Sequence, residues 1–198
     1  MSAHPDITAL LGSRLCHDLI GPIGAIGNGV ELMLLAPGGL GNEIALVSES
    51  VTTLSARLRL FRIAFGMARP DQTVPRAEVQ DILAPLFPAR RIALDWNSPP
   101  EVDRMELKAV FLLLLCGEAA LRGGGRISVL RDEIGWNLTL ASPRLMAVPR
   151  LWATLVGGPY PPDLEPAEVH FPLAAQALAA LGRVPDIEPG DAMLRISF

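Results

Sequence analysis

Thiols, imidazoles and aromatic rings are all scarce in this chain. Its 198 residues hold two cysteines, Cys16 and Cys116, far apart and outside any CxxC pattern. That argues against a disulfide framework or a thiolate metal site and fits two reduced thiols in a cytosolic protein. The three histidines, His4, His17 and His170, are too dispersed to build a metal centre. Aromatic residues make up 5% of the chain, and arginines cluster only briefly (Arg57, Arg59, Arg62; Arg90, Arg91). With a net charge of −4 and a pI of 5.4, no nucleic acid is expected as the main partner. The longest dense apolar run, Ala109 to Cys116, falls well short of the roughly 18 residues a membrane span needs. The opening MSAHPDITAL lacks a basic-then-apolar signal pattern, so cytoplasmic residence and no membrane partner are expected. What is abundant is apolar surface: half the residues are hydrophobic and mean hydropathy is +0.35, enough for one large or two small domains.

The stretch Ser13 to Met33, SRLCHDLIGPIGAIGNGVELM, carries the most information. On a helix at about 100° per residue, Leu11, Leu15, Leu19, Pro22, Ile26, Val30 and Met33 share one side. Leu10, Ser13, Arg14, His17, Gly21, Gly24, Asn28 and Glu31 share the other, which leaves the His17 imidazole open to a large partner such as a protein domain. Gly21, Gly24, Gly27 and Gly29 each weaken a helix by roughly 0.5–1 kcal/mol relative to Ala, and Pro22 removes a hydrogen bond and favours a kink. Close approach by a neighbouring helix or a docking partner explains why they are tolerated.

This first helix starts near Pro5 and Asp6 and ends about Ala36, where Pro37, Gly38, Gly39 and Gly41 turn the chain. A second helix, about Asn42 to Phe65, carries Ile44, Val47, Val51, Leu54, Leu58, Phe61 and Phe65 as a heptad stripe and ends at Gly66. A two-helix hairpin leaves that stripe wet. Pairing two hairpins into a four-helix bundle covers it, which predicts a homodimer.

After a linker at Arg69–Thr73 the pattern changes. Helices are expected over Pro75–Phe87, Asp103–Arg122, Pro149–Val156 and Pro166–Leu181. Strands are expected over Ile92–Asn97, Arg126–Arg131, Trp136–Ala141 and Ala192–Phe198, with one more within Gly182–Asp191. The expected fold is α+β: a helical-hairpin domain over 1–68 and a helix-on-sheet sandwich over 74–198.

CHDLIGPIGAI resembles the phospho-acceptor box of two-component signalling, in which an acidic residue follows the histidine and a proline lies a turn further on. Together with the second helix ending LRLFRIAFG, it resembles the ChpT-type histidine phosphotransferases of bacterial phosphorelays. The second half is similar to the ATP-binding domain of histidine kinases, but its signatures are missing. LKAVFLLLLCGEAAL has no asparagine to help hold Mg-ATP, leaving Glu118 as the one residue there able to offer magnesium an oxygen. Ser142-Pro143-Arg144 stands where an Asp-x-Gly-x-Gly turn belongs, and no glycine-rich lid follows. The resemblance therefore implies a histidine phosphotransferase with no ATP or other cofactor of its own. It would shuttle a phosphoryl group through His17 between the receiver domains of a hybrid histidine kinase and of response regulators. The receiver would supply Mg²⁺.

On chemistry alone, a neutral imidazole with a free nitrogen lone pair is a nucleophile near pH 7. Asp18 can accept the Nδ1 proton and leave Nε2 free to attack, yet the same carboxylate also favours imidazolium, which opposes nucleophilicity. Ser13, Arg14, Gly21, Gly24 and Asn28 are the candidate docking strip, with Arg14 able to offset phosphoryl charge; the plainer reading is a solvated helix face. The alternatives are an ATP-dependent histidine autokinase and a non-catalytic dimeric adaptor that binds receivers.

Overall fold

The computed structural model describes residues 5–35, 41–89 and 91–198. The expected glycine-rich stop after the first helix, His4 and Arg90 lie outside the described residues, except for Gly41. Helix α1 spans Ile7–Leu35 and continues unbroken through Pro22. Its start is set by Asp6, whose Oδ1 accepts the backbone N–H groups of Thr8 and Ala9 at 3.0 Å each. Helix α2, Gly41–Ala64, lies against α1. Of the five α1 glycines, only Gly29 is needed for that approach: a Cβ there would sit 2.5 Å from Val47 Cγ2, while at Gly12, Gly21, Gly24 and Gly27 it would meet nothing within 4 Å.

Two details of the helical wheel are corrected. Leu10, placed on the outward face, is half-buried and packs on the core, and Val30, placed inward, is exposed. The heptad stripe of α2 divides along its length. Phe61 is buried, whereas Ile44, Val51 and Leu58 remain exposed.

In the second half, β1 (Thr73–Pro75) is followed by α3 (Arg76–Leu83), β2 (Ile92–Asn97), β3 (Glu101–Asp103), α4 (Arg104–Ala120), β4 (Gly125–Arg131) and β5 (Trp136–Ala141). Then come α5 (Pro149–Leu155), a 3₁₀ turn (Pro166–Glu168), α6 (His170–Ala180), β6 (Asp186–Pro189) and β7 (Met193–Ser197). The main sheet has the order β2-β4-β5-β7-β6; β2 runs parallel to β4, and the other neighbours are antiparallel. The parallel pair follows from α4, which carries the chain across from β2 to β4. The β1 and β3 pair was not expected, because three-residue strands fall on stretches that read as linker and turn.

Alternation along the strands explains the layering. Ile127, Val129, Leu138, Leu140, Leu194 and Ile196 are buried under the helices, while Arg126, Leu130 and Arg195 face outward. Helix α4 is nearly all buried, with Phe111 edge-on to Trp96 and Glu106 accepting the indole N–H of Trp136 at 2.7 Å. One continuous core runs from Ala56, Leu60 and Phe61 of α2 through α3 and α4 into the sheet. The protein is thus α+β, a helical hairpin joined to a helix-covered mixed sheet.

Candidate functional site

Leu15 and Leu19 are half-buried against the core and fix which way α1 faces. His17, between them in sequence, therefore projects into solvent with 86% of its side chain exposed. Asp18 beside it is only 12% exposed. Its Oδ1 lies 3.2 Å from His17 Nδ1, and its Oδ2 accepts the Arg14 Nε–H at 2.9 Å. One carboxylate thus bridges an exposed imidazole and a guanidinium one turn earlier, itself 19% exposed. With the proton on Nδ1, the ring donates to Asp18 and turns the Nε2 lone pair outward.

The remaining candidates sit around this group. Ser13, Gly21, Gly24 and Asn28 are exposed on α1, and Gly21 and Gly24 leave open ground beside the imidazole. Arg14 is on the same strip, but its guanidinium is turned to Asp18. Ile20, exposed one turn beyond His17, adds an apolar contact point that the sequence reading passed over.

Residues outside the box set the platform. Arg104 is buried and donates Nη1 to the Ile63 carbonyl at 2.9 Å and Nη2 to the Arg62 carbonyl at 2.8 Å. Lys108 donates Nζ to the Gly66 carbonyl at 2.8 Å. Burial, then the neighbouring Arg62 guanidinium, lowers the Arg104 pKa, and burial followed by Arg104 lowers that of Lys108. Gly66 has to be glycine, since a Cβ there would lie 2.3 Å from the Arg62 carbonyl oxygen. No motif marks Arg104 or Lys108 in the sequence.

Glu118, the lone candidate for magnesium, forms an ion pair with Arg57 of α2 at 3.4 Å. Ser142-Pro143-Arg144 makes a tight turn in which the buried Ser142 Oγ accepts the Arg144 N–H at 3.1 Å. Among the described residues no group of three or more His, Cys, Asp or Glu side chains is arranged around a metal position. An open groove of about 710 Å³ lies between residues 154–160 and α6, and none of the site residues lines it. His170 is buried at the start of α6 with its Nε2 unpartnered. Desolvation, reinforced by Arg14 and Arg122, pushes its pKa down to about 3.

Helix α1 is long and apolar enough by composition to cross a membrane, which for a single helix is weak evidence.

Comparison with known proteins accounts for the same features. The family model of the histidine phosphotransferase C-terminal domain matches residues 76–192. Protein phosphotransferase ChpT of Brucella abortus (strain 2308) is 32% identical over 171 residues, covering 83% of this chain and 80% of the relative. A solved bacterial phosphotransferase superposes with a TM-score of 0.78 at 27% identity, covering 97% of this chain and 95% of that one. A histidine kinase domain from the Erythrobacter litoralis EL346 blue-light activated kinase gives 0.47 at 12% identity, over 89% and 95% of the two chains. The matching C-terminal domain and the 32% identity to a ChpT protein over most of both chains place the chain in the histidine phosphotransferase family, as a ChpT-type protein working in a phosphorelay.

Proposed function

We propose that His17 is the residue that carries the phosphoryl group, taking it from an aspartyl phosphate on one receiver domain and passing it to another. The observation that supports this most directly is the 86% exposed imidazole, held at Nδ1 by a carboxylate that is itself mostly buried. The Nε2 lone pair attacks phosphorus, an N–P bond forms, and the P–O bond to the receiver aspartate breaks, releasing that side chain as carboxylate. Positive charge develops on a ring that still carries Nδ1–H, and Asp18 stabilises it. Mg²⁺ and most of the phosphoryl charge compensation come with the receiver, because such transfers depend on positioning and electrostatics. Ser13, Gly21, Gly24 and Asn28, with Arg14 at the edge, form the surface on which the receiver sits.

The hairpin, residues 1–68, acts as a dimerisation and phosphotransfer domain, and 74–198 acts as a support that uses no ATP. Two hairpins pair into a four-helix bundle across Ile44, Val51 and Leu58, which are exposed on one stripe of α2. Each such side chain is worth roughly 1.5–3 kcal/mol when fully buried. The homodimer works in the cytoplasm with the receivers of a hybrid kinase and of response regulators.

The test is phosphotransfer from a purified phosphorylated receiver, with chain mass in solution measured alongside. Wild type gains an acid-labile label and His17→Ala gains none while keeping the dimer mass. Full labelling of His17→Ala, or labelling of wild type by ATP and Mg²⁺ with no partner, rules the assignment out. A receiver that binds but never transfers leaves an adaptor.

A further inference from the structure

The arrangement Arg14–Asp18–His17 has an odd feature for a helix surface. A cation four residues before an anion is the less favourable order on a helix, since it opposes the macrodipole. The pair is also largely withdrawn from water, at 19% and 12% exposure, and withdrawing an ion pair is not in itself a gain in stability. Helix energetics therefore do not explain it.

Geometry does. Neighbouring side chains on a helix diverge by about 100°, so Asp18 reaches His17 only with its carboxylate turned back along the helix surface. Left alone, that carboxylate is free to rotate to water. Arg14, one turn earlier, takes Oδ2 at 2.9 Å and leaves Oδ1 at 3.2 Å from Nδ1. From the C-terminal half, buried His170 of α6 feels the charge of Arg14 as well as that of Arg122, and among the described residues Asp18 is the acid with which Arg14 pairs.

Resting on the assignment of His17 as phosphoryl acceptor, we propose that Arg14 is a positioning residue. It locks Asp18 onto Nδ1, holds His17 in the Nδ1–H tautomer, and so presents Nε2 as the nucleophile, rather than meeting the phosphoryl group itself.

Two measurements on the full chain test this. The first is the ¹⁵N spectrum of the His17 ring, recorded well above the usual histidine range so that the ring is neutral. Wild type shows mainly Nδ1–H. Arg14→Met, which keeps an apolar stem, shifts the ring towards the Nε2–H form that free imidazole favours. Arg14→Lys, which keeps a cation within reach of Asp18, restores Nδ1–H. The second is a double-mutant cycle read as the rate of transfer from a phosphorylated receiver. Arg14→Met slows transfer about tenfold or more in wild type but less than about twofold in the Asp18→Asn background. An equal loss in both backgrounds would mean that Arg14 acts on the phosphoryl group or the receiver independently of Asp18, and an unchanged tautomer in Arg14→Met would remove its hold on Asp18; either overturns the proposal. If wild type accepts no label at all, the assignment of His17 fails, while the ring spectra still decide the role of Arg14.

Discussion

Arg104→Met should destabilise the protein more than a change of one side chain at the edge of a core normally does. The last carbonyls of α2 have no donors within the helix, and they carry the negative end of its dipole. Arg104 supplies two charged donors, to Ile63 and Arg62, from a buried position. A hydrogen bond to a charged group contributes about 1.5–3 kcal/mol. Two of them give about 3–6 kcal/mol before the cost of burying a cation is subtracted. That cost is real here, since desolvation and then Arg62 both depress the Arg104 pKa. Met fills most of the same volume, so the cavity penalty is small. It leaves the carbonyls in place without donors, however, so the usual neutrality of replacing a whole buried ion pair does not apply.

The expected net loss is about 2–4 kcal/mol, or roughly 4–16 °C in Tm for a chain of this size. Urea unfolding followed by circular dichroism measures it. Protein concentration is held fixed, because the proposed pairing would couple stability to it. Lys108→Met, which removes a single bond to the Gly66 carbonyl at 2.8 Å, should cost less. A loss below about 1 kcal/mol for Arg104→Met would mean that water satisfies these carbonyls equally well, and that α4 is not what caps α2.

Buried His170, with a pKa near 3, binds no proton in the folded state while the unfolded chain, near 6.5, does. Stability is therefore fully present above the unfolded value and falls as pH drops from about 6.5 towards 3, by about 1.4 kcal/mol per pH unit. His170→Leu should remove about 2 kcal/mol of the loss between pH 6.5 and 5 in urea titrations; parallel curves would show that the ring is protonated where it sits. Gly29→Ala places a Cβ 2.5 Å from the stiff Val47 side chain and should lower stability by about 0.5–2 kcal/mol, overpacking outweighing the better helix propensity. Gly24→Ala meets nothing within 4 Å and should raise stability by about 0.5–1 kcal/mol while slowing transfer from the receiver; unchanged transfer would remove Gly24 from the docking surface.

The glycines show where sequence stops being sufficient. Their number in α1 predicts close approach by something, and helical spacing puts Gly21 and Gly24 beside His17. Which of them faces the neighbouring helix depends on how α2 lies against α1, and only Gly29 does. The same limit explains Leu10 and Val30, whose wheel positions are sound but whose burial depends on what packs alongside. Long periodic segments and strands of five or more residues were legible because their patterns repeat. The β1 and β3 ladder was not, because three residues hold barely one repeat of a two-residue period. At the site, the Arg14 and Asp18 spacing is visible in the sequence, but whether the carboxylate turns to the guanidinium, the imidazole or both is a matter of rotamer.

Helix α4 carries the strongest structural argument about the chemistry. At about 100° per residue, positions 104, 108 and 118 fall on one narrow strip. The structure directs all three to the hairpin: Arg104 to the Arg62 and Ile63 carbonyls, Lys108 to the Gly66 carbonyl, and Glu118 to Arg57. Helix α4 thus turns three of its four charged side chains to the hairpin, and the fourth, Glu106, accepts the indole N–H of Trp136 in the sheet. An autokinase must bring its own bound nucleotide to the histidine, and three fixed links at the foot of the hairpin oppose such a movement. A phosphotransferase receives its phosphoryl group on an incoming partner. What it needs from its own C-terminal half is a stiff support, because the imidazole must meet the aspartyl phosphate in near-attack geometry without rearrangement. The same fastening that opposes the first activity therefore suits the second.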